Sequence, residues 1–354
     1  MLRHHDVVII GGGQAALAAG YYLRRSARSL VVLDAEPGPG GAWRHTWPSL
    51  RLFSPARWSS LPGWLMPSAE GYPTREDALA YLTEYERRYA LPVERPVRVV
   101  ATHADGPRLC LVTASGQEIS ADAVVSATGT WGNPQIPSLP GQAAFGGELL
   151  HSAQYDGPQR FAGRRVLVVG AGNSGAQIFA DLIDHADVRW VTLSPPVFLP
   201  DDVDGQVLFD QATARYKAQQ EGREPPPARS LGDIVMVESV RRIRDRGLLR
   251  AEPMFTAFTP DGVTWPDGRK EAIDAVIFAT GFRPALQHLS PLVQPDARGR
   301  LPMEGPRAAA HPRLYPLGYG DWTGFASATI IGVGRAARAV AEAIARDVLS
   351  ANDG

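Results

Sequence analysis

Asp6-Val7-Val8-Ile9-Ile10-Gly11-Gly12-Gly13-Gln14-Ala15-Ala16 joins an unbroken apolar run to a G-x-G-x-x-A loop. An apolar run without alternation marks a strand covered on both faces, as in a parallel sheet. In the loop, Gly11 makes the tight turn and Gly13 lets the backbone approach a pyrophosphate. Ala16 is small enough for the next helix to pack on the strand. Gln14 and Ala15 open that helix, so its first N–H groups meet the phosphates. A second apolar strand, Leu30-Val31-Val32-Leu33, ends in Asp34, 23 residues after Gly11. A carboxylate at that spacing binds ribose hydroxyls. One glycine loop is a weak signal, but strand, loop, helix, strand and acid in this order describe a dinucleotide-binding unit.

The plan occurs twice. Arg165-Val166-Leu167-Val168-Val169 leads into Gly170-Ala171-Gly172-Asn173-Ser174-Gly175, a full G-x-G-x-x-G, followed by a helical pattern and a strand ending at Ser194. Each copy closes on a buried strand with a small-residue end, Ala127-Thr128-Gly129 in the first and Ala279-Thr280-Gly281 in the second. The glycine loops lie 159 residues apart and the Ala-Thr-Gly ends 152 apart. Near-equal offsets indicate one unit repeated. The expected fold class is α/β, with two Rossmann-like dinucleotide-binding domains, the second inserted in the first. The boundaries read as 1–157 with 275–354 for an FAD-binding domain and 158–274 for an NAD(P)H-binding domain. Asp34 in the first copy favours a free ribose 2′-hydroxyl, whereas Ser194 in the second leaves room for a 2′-phosphate. The first site therefore suits FAD and the second NADPH, with NADH as the alternative. No arginine adjoins Ser194, so Arg189 and Arg215 are the candidates for holding the phosphate.

At 354 residues the chain exceeds the usual size of a single core. A formal net charge of −1 argues against a nucleic-acid or anionic-membrane partner held by a broad basic field. No apolar stretch approaches the roughly 20 residues that span a bilayer. The chain enters a strand-like run at once, leaving no room for a signal peptide. A soluble, cytoplasmic protein is the expectation, with a homodimer the commonest assembly. Cys110 is the only cysteine, which excludes an internal disulfide, a CxxC redox pair and a multi-cysteine metal or arsenite site. No metal is expected.

Between these landmarks, Gly38-Pro39-Gly40-Gly41-Ala42-Trp43 places paired glycines where backbone can pass close to a flat ligand. From Trp43 to Trp64 lie four of the eight tryptophans, either a substrate-pocket wall or an aromatic core loop. Thr74 with Asp77 reads as a helix N-cap. Asp201, Asp202 and Asp204 lack calcium-loop spacing and read as a solvated turn. Arg241 to Arg246 reads as a charged helix face. Near the C-terminus, Gly320-Asp321 before a long helical pattern offers Asp321 either to the ribityl chain of a flavin or to its own turn.

Between the two loops runs Phe145-Gly146-Gly147-Glu148-Leu149-Leu150-His151-Ser152-Ala153-Gln154-Tyr155, the pattern F-x-G-x-x-x-H-S-x-x-Y. With Gly38–Trp43 and Ala279-Thr280-Gly281-Phe282, this connector resembles the signature of flavin-containing monooxygenases over nearly the whole chain. The related Baeyer–Villiger enzymes carry H-T-x-x-W at the connector. Short length and the stretch 318–328 make the chain most similar to the ArsO-type branch found beside arsenic-resistance genes. The resemblance implies that NADPH reduces FAD and that reduced flavin takes up O2 as a C4a-hydroperoxide. One oxygen atom then passes to a small-molecule soft nucleophile: nitrogen, sulfur or an arsenical. It implies catalytic roles near the flavin for Trp43, Ser54, His151, Ser152 and Tyr155. Many family members carry an asparagine in the region corresponding to 54–73, where this chain has serines and no asparagine. A reductase or oxidase that releases hydrogen peroxide is the competing enzymatic reading, and a non-catalytic redox sensor the third.

Overall fold

The computed structural model describes residues 3–27, 29–224 and 232–349. In chain order the elements are β1 (Arg3–Ile10), α1 (Gln14–Leu23), β2 (Leu30–Leu33), α2 (Arg75–Arg88), β3 (Val93–Glu94), β4 (Val99–Asp105), β5 (Arg108–Thr113), β6 (Glu118–Ser126) and β7 (Glu148–His151). There follow β8 (Arg165–Val169), α3 (Asn173–Leu182), β9 (Asp187–Thr192), α4 (Gly205–Gln220), α5 (Glu238–Asp245) and β10 (Ala251–Pro253). The chain then runs through the small strands β11 (Ala257–Thr259), β12 (Gly262–Thr264) and β13 (Lys270–Ala272) to β14 (Ala275–Phe278). A two-stranded hairpin, β15 (Met303–Glu304) and β16 (Arg307–Ala308), precedes β17 (Leu314–Pro316) and α6 (Ile330–Ile344).

Two sheets carry the glycine loops. The first is ordered β3-β2-β1-β6-β5-β4, with β17 also paired to β6; β1, β2, β3, β6 and β17 run parallel, and β5 pairs antiparallel with both β6 and β4. The second, β10-β9-β8-β14-β7, is wholly parallel. The central strands β1 and β8 are apolar because helices or loops cover both faces; Val7, Val8, Ile9, Val166, Leu167 and Val168 are fully buried. Helices α1 and α6 share a core with α2 on one face of the first sheet. Both β7 and β14, placed by the sequence boundaries in the first domain, hydrogen-bond into the second sheet. On sheet membership the division falls just before Glu148 and just after Phe278. The reason is that the connector motif begins as an edge strand completing the second sheet.

The expected N-cap is present as a capping box, with Thr74 and Asp77 each accepting from the other's backbone N–H. The acidic turn carries more structure than a solvated loop: Asp204 Oδ1 accepts from the Gln206 and Val207 N–H groups at the start of α4, and Asp201 pairs with Arg244 of α5. The arginines of α5 and its C-cap do form a charged face, with Arg242 and the capping Arg246 on Asp184. No helix among the described residues is long and apolar enough to cross a membrane.

Candidate active site

The two glycine loops repeat down to single contacts. Gly11 has φ +105° and Gly170 φ +140°, values that disfavour any side chain. A Cβ on Gly11 would lie 2.5 Å from the Ala127 carbonyl oxygen, and one on Gly170 would lie 2.3 Å from that of Ala279. The Ala-Thr-Gly ends thus press on the tight turn in both units. At the third position a Cβ on Gly175 would lie 2.3 Å from the Gly170 carbonyl oxygen, while Ala16 is fully buried. Helices α1 and α3 start from extended Gly13 and Gly172 without side-chain caps. Their first N–H groups are therefore open to a phosphate, and both cradles fit the dinucleotides that the motifs imply.

Other stretches converge on the first loop. A Cβ on Gly41 would sit 2.7 Å from Gly13 Cα, so the paired glycines pack on the turn itself. Trp43 Nε1 donates to Gln14 Oε1 at 3.1 Å, and Gln14 Nε2 donates to the Ala328 carbonyl at 2.7 Å. This chain joins Gly38–Trp43, the start of α1 and the turn before α6. Asp321 is exposed, and its Oδ1 accepts from Ala326 N at 3.4 Å, the turn contact of the two expectations. Asp34 is buried against Gly12, with a hydrogen bond from Glu36 N to Oδ1 (3.3 Å) and one from Arg95 Nε to Oδ2 (2.6 Å). Gly12 and Arg95 escaped the sequence reading. Gly12 is a variable position of the loop pattern, and no motif links Arg95 to an acid 61 residues away.

The connector side chains turn inward. His151 is fully buried; its Nε2 donates to the Gly281 carbonyl at 2.9 Å and its Nδ1 accepts from Ala153 N at 3.1 Å. Burial pushes its pKa down, against a smaller upward effect of the Gly281 bond, so the ring is neutral with the proton on Nε2. Tyr155 is buried against Trp47 and Phe161 and donates to Asp181 Oδ2 at 2.7 Å. Ser152 is buried, and its carbonyl accepts from Tyr155 N. His151 and Tyr155 hold the connector to Gly281 and α3. Ser54 is buried under the start of α4: Gly205 N donates to the Phe53 carbonyl at 2.7 Å, and a Cβ on Gly205 would fall 1.9 Å from Ser54 Oγ. Helix α4 also brings Phe209 between Trp58 and Phe325, ring centroids 6.4 and 6.3 Å away. The tryptophan-rich stretch thus divides. Trp43 lies at the first loop and Trp58 under α4, whereas Trp47 and Trp64 pack in the two cores.

The chain crosses between the sheets twice, and the crossings run as an antiparallel ribbon. Gln135 N donates to the Gly281 carbonyl, Arg283 N to Asn133, and Ala285 N to Gly129. Thr280 Oγ1 donates to the Gln135 carbonyl. At its foot a buried hydrogen-bond chain has only one consistent direction. Thr128 Oγ1 must donate to the Ala285 carbonyl (2.7 Å), so Tyr319 donates to Thr128 (2.7 Å) and Ser126 to Tyr319 (2.6 Å). His288 Nε2–H is left to donate to Ser126 (3.0 Å). Burial pushes the His288 pKa down to about 4, in keeping with a neutral ring. His288 belongs to no motif, and nothing in the stretch 318–328 marks Tyr319 as its partner, so only the fold exposes the chain.

In the second unit Asn173 spends its side chain on the 233–235 segment, donating to the Asp233 carbonyl and accepting from Val235 N. Ser174 lies beside it in the first turn of α3. Ser194 is exposed beyond β9. Arg189 is held by Glu252 (3.1 Å) and Glu271 (2.9 Å), so its guanidinium is already matched by carboxylates. The Arg215 side chain lies outside the described residues. The one group of metal-ligand composition among the described residues, His4, Asp6 and Asp122, stands at the far end of β1, where Arg108 already pairs with Asp122.

Residues 8–219 match the model of the pyridine nucleotide-disulphide oxidoreductase family. A flavin-containing monooxygenase from Stenotrophomonas maltophilia is 48% identical, with all of both chains covered and a TM-score of 0.89. The chain belongs to the flavin-containing monooxygenases. Among curated relatives, an uncharacterised CzcO-like oxidoreductase of Geobacillus kaustophilus is 28% identical over 98% of each chain. An indole-3-pyruvate monooxygenase of Oryza sativa is 28% identical over 75% of this chain and 73% of its own. Flavin-containing monooxygenases are enzymes, so the redox-sensor reading falls away.

Proposed function

We propose that this monooxygenase uses FAD and NADPH, with NADH as the alternative, to transfer one atom of O2 through a C4a-hydroperoxyflavin to a small soft nucleophile: nitrogen, sulfur or an arsenical. The carrying observation is the pair of matching glycine cradles joined by the hydrogen-bonded crossing ribbon. Gly11, Gly13, Gln14, Ala15, Ala16, Asp34, Gly41, Trp43, Ala127, Thr128, Gly129 and Asp321 would line the FAD side. Gly170, Gly172, Asn173, Ser174, Gly175, Ser194, Ala279, Thr280 and Gly281 would line the nicotinamide nucleotide side. Bound flavin supplies the hydride acceptor and the oxygen chemistry. The chain's own part is to orient the rings and exclude water, and the α4 cover over Ser54 and Phe325 supports that role. His151, Ser152 and Tyr155 would act by fixing the connector on which the second unit sits. With one cysteine, an arsenical would bind beside the flavin without a thiolate cage.

A second reading, a reductase or oxidase that releases hydrogen peroxide, is favoured by one observation: residues 54–73 contain no asparagine. Anaerobic reduction with NADPH or NADH, then rapid mixing with oxygenated buffer, separates the two. A long-lived absorbance band between those of reduced and oxidised flavin supports the monooxygenase. Direct return to oxidised flavin with stoichiometric hydrogen peroxide overturns it in favour of the oxidase.

A further inference from the structure

We infer that Arg95 is a positioning residue for the first nucleotide site: it turns the Asp34 carboxylate toward a ribose diol, and Glu86 of α2 keeps it from doing more. The inference rests on the flavoprotein reading. Arg95 is one of the more deeply buried guanidiniums, its side chain 12% exposed, and lies between Asp34 (4%) and Glu86 (17%). The fork of the guanidinium goes to Glu86, Nη1 and Nη2 each 2.7 Å from a carboxylate oxygen. Only Nε is left for Asp34, at 2.6 Å from Oδ2. An ionised carboxylate has about four acceptor sites. Arg95 Nε takes one and Glu36 N another, at 3.3 Å. About two remain, matching the two hydroxyl donors of a vicinal diol.

The division of labour follows from geometry. An arginine fork free of Glu86 would close on both oxygens of Asp34, because the bidentate pair is the stronger arrangement. That would withdraw from the ribose the acceptors it needs. Without Arg95, Asp34 would be a buried carboxylate with no cation and no fixed rotamer. The three groups together carry one net negative charge, which repels a phosphorylated ribose and reserves the site for a free diol. Gly12 completes the fit, since its missing side chain leaves the space in which Asp34 Oδ2 lies.

The test is a fluorescence titration of the full-length apoprotein with FAD and with FAD carrying 2′-deoxyadenosine. Wild type should bind FAD at least tenfold more tightly than the analogue, the size expected for one hydrogen bond to a charged group. In Arg95→Gln the affinity for FAD should fall about tenfold or more, and the preference over the analogue should vanish. Glu86→Gln, whose residue meets neither ligand, should shift both quantities the same way, and the double variant should be no worse than Arg95→Gln alone. Full preference for FAD in both single variants overturns the inference. If Arg95→Gln fails to fold, by far-UV circular dichroism, Glu86→Gln carries the test alone. Wild type binding FAD and analogue equally overturns only this assignment, whereas wild type binding neither overturns the flavoprotein reading with it.

Discussion

At the residue scale, two chemistry-bearing side chains of the connector, His151 and Tyr155, are engaged in structural contacts. Tyr155 illustrates it: a buried hydroxyl donating to Asp181, its pKa pushed up by burial first and by that carboxylate second. Tyr155→Phe should lower stability by about 1–3 kcal/mol, the cost of losing a buried hydrogen bond to a charged group. The rate of anaerobic flavin reduction should stay within about twofold of wild type. Chemical denaturation and stopped-flow absorbance check the two parts, and a large rate loss with unchanged stability would return Tyr155 to the chemistry. The sequence singled out His151, Ser152 and Tyr155. It could not show which way they point, because a connector has no periodicity that assigns a face.

At the element scale, the two glycine cradles can be broken separately. Gly11→Ala drives a Cβ into the Ala127 carbonyl and Gly170→Ala drives one into the Ala279 carbonyl. Positive φ adds strain of about 1 kcal/mol or more at each position. Gly11→Ala should purify largely without FAD. Gly170→Ala should keep FAD, seen as a normal flavin spectrum, yet resist reduction by NADPH or NADH while dithionite still reduces it. Helix α4 offers a third test. Gly205→Ala must displace either Ser54 or the helix, an overpacking cost of about 1–3 kcal/mol. Lifting α4 from the 53–60 segment should make reduced flavin react with oxygen to yield more hydrogen peroxide, measured as peroxide formed per NADPH consumed. Unchanged peroxide yield would remove α4 from the role of a solvent cover. The loop glycines were legible because φ and close approach dictate the residue type there. Gly205 was not, since nothing near it in sequence marks a contact with Ser54.

At the scale of the whole molecule, the directed chain from His288 through Ser126, Tyr319 and Thr128 to Ala285 ties both crossings to the last strand of the first sheet. Its histidine should make the fold acid-sensitive. The folded pKa of about 4 lies below the ordinary 6.5, so the unfolded chain binds the proton first. The neutral ring therefore stabilises the fold fully above pH 6.5, and this contribution fades as pH falls toward 4, about 3 kcal/mol over that window. Urea denaturation from pH 7 to 4.5 should show the loss, and His288→Gln, which keeps an N–H for Ser126, should flatten the profile. An identical pH slope in the variant would place the acid sensitivity elsewhere.

The sequence by itself determined the fold class, the duplication and both cradles. A tight turn, a backbone against a phosphate and a helix pressed on a strand each demand a small residue at fixed spacing, so local physics writes them into the chain. Its single cysteine also excluded an internal disulfide, a CxxC redox pair and a multi-cysteine metal or arsenite site. The tertiary structure alone decided that β7 and β14 belong to the second sheet, that Arg189 is already matched by acids, and that Arg95 and Glu86 stand behind Asp34. Those outcomes depend on which distant side chains meet once the sheets are packed, and neither hydrophobic period nor motif spacing encodes a meeting between residues 61 positions apart.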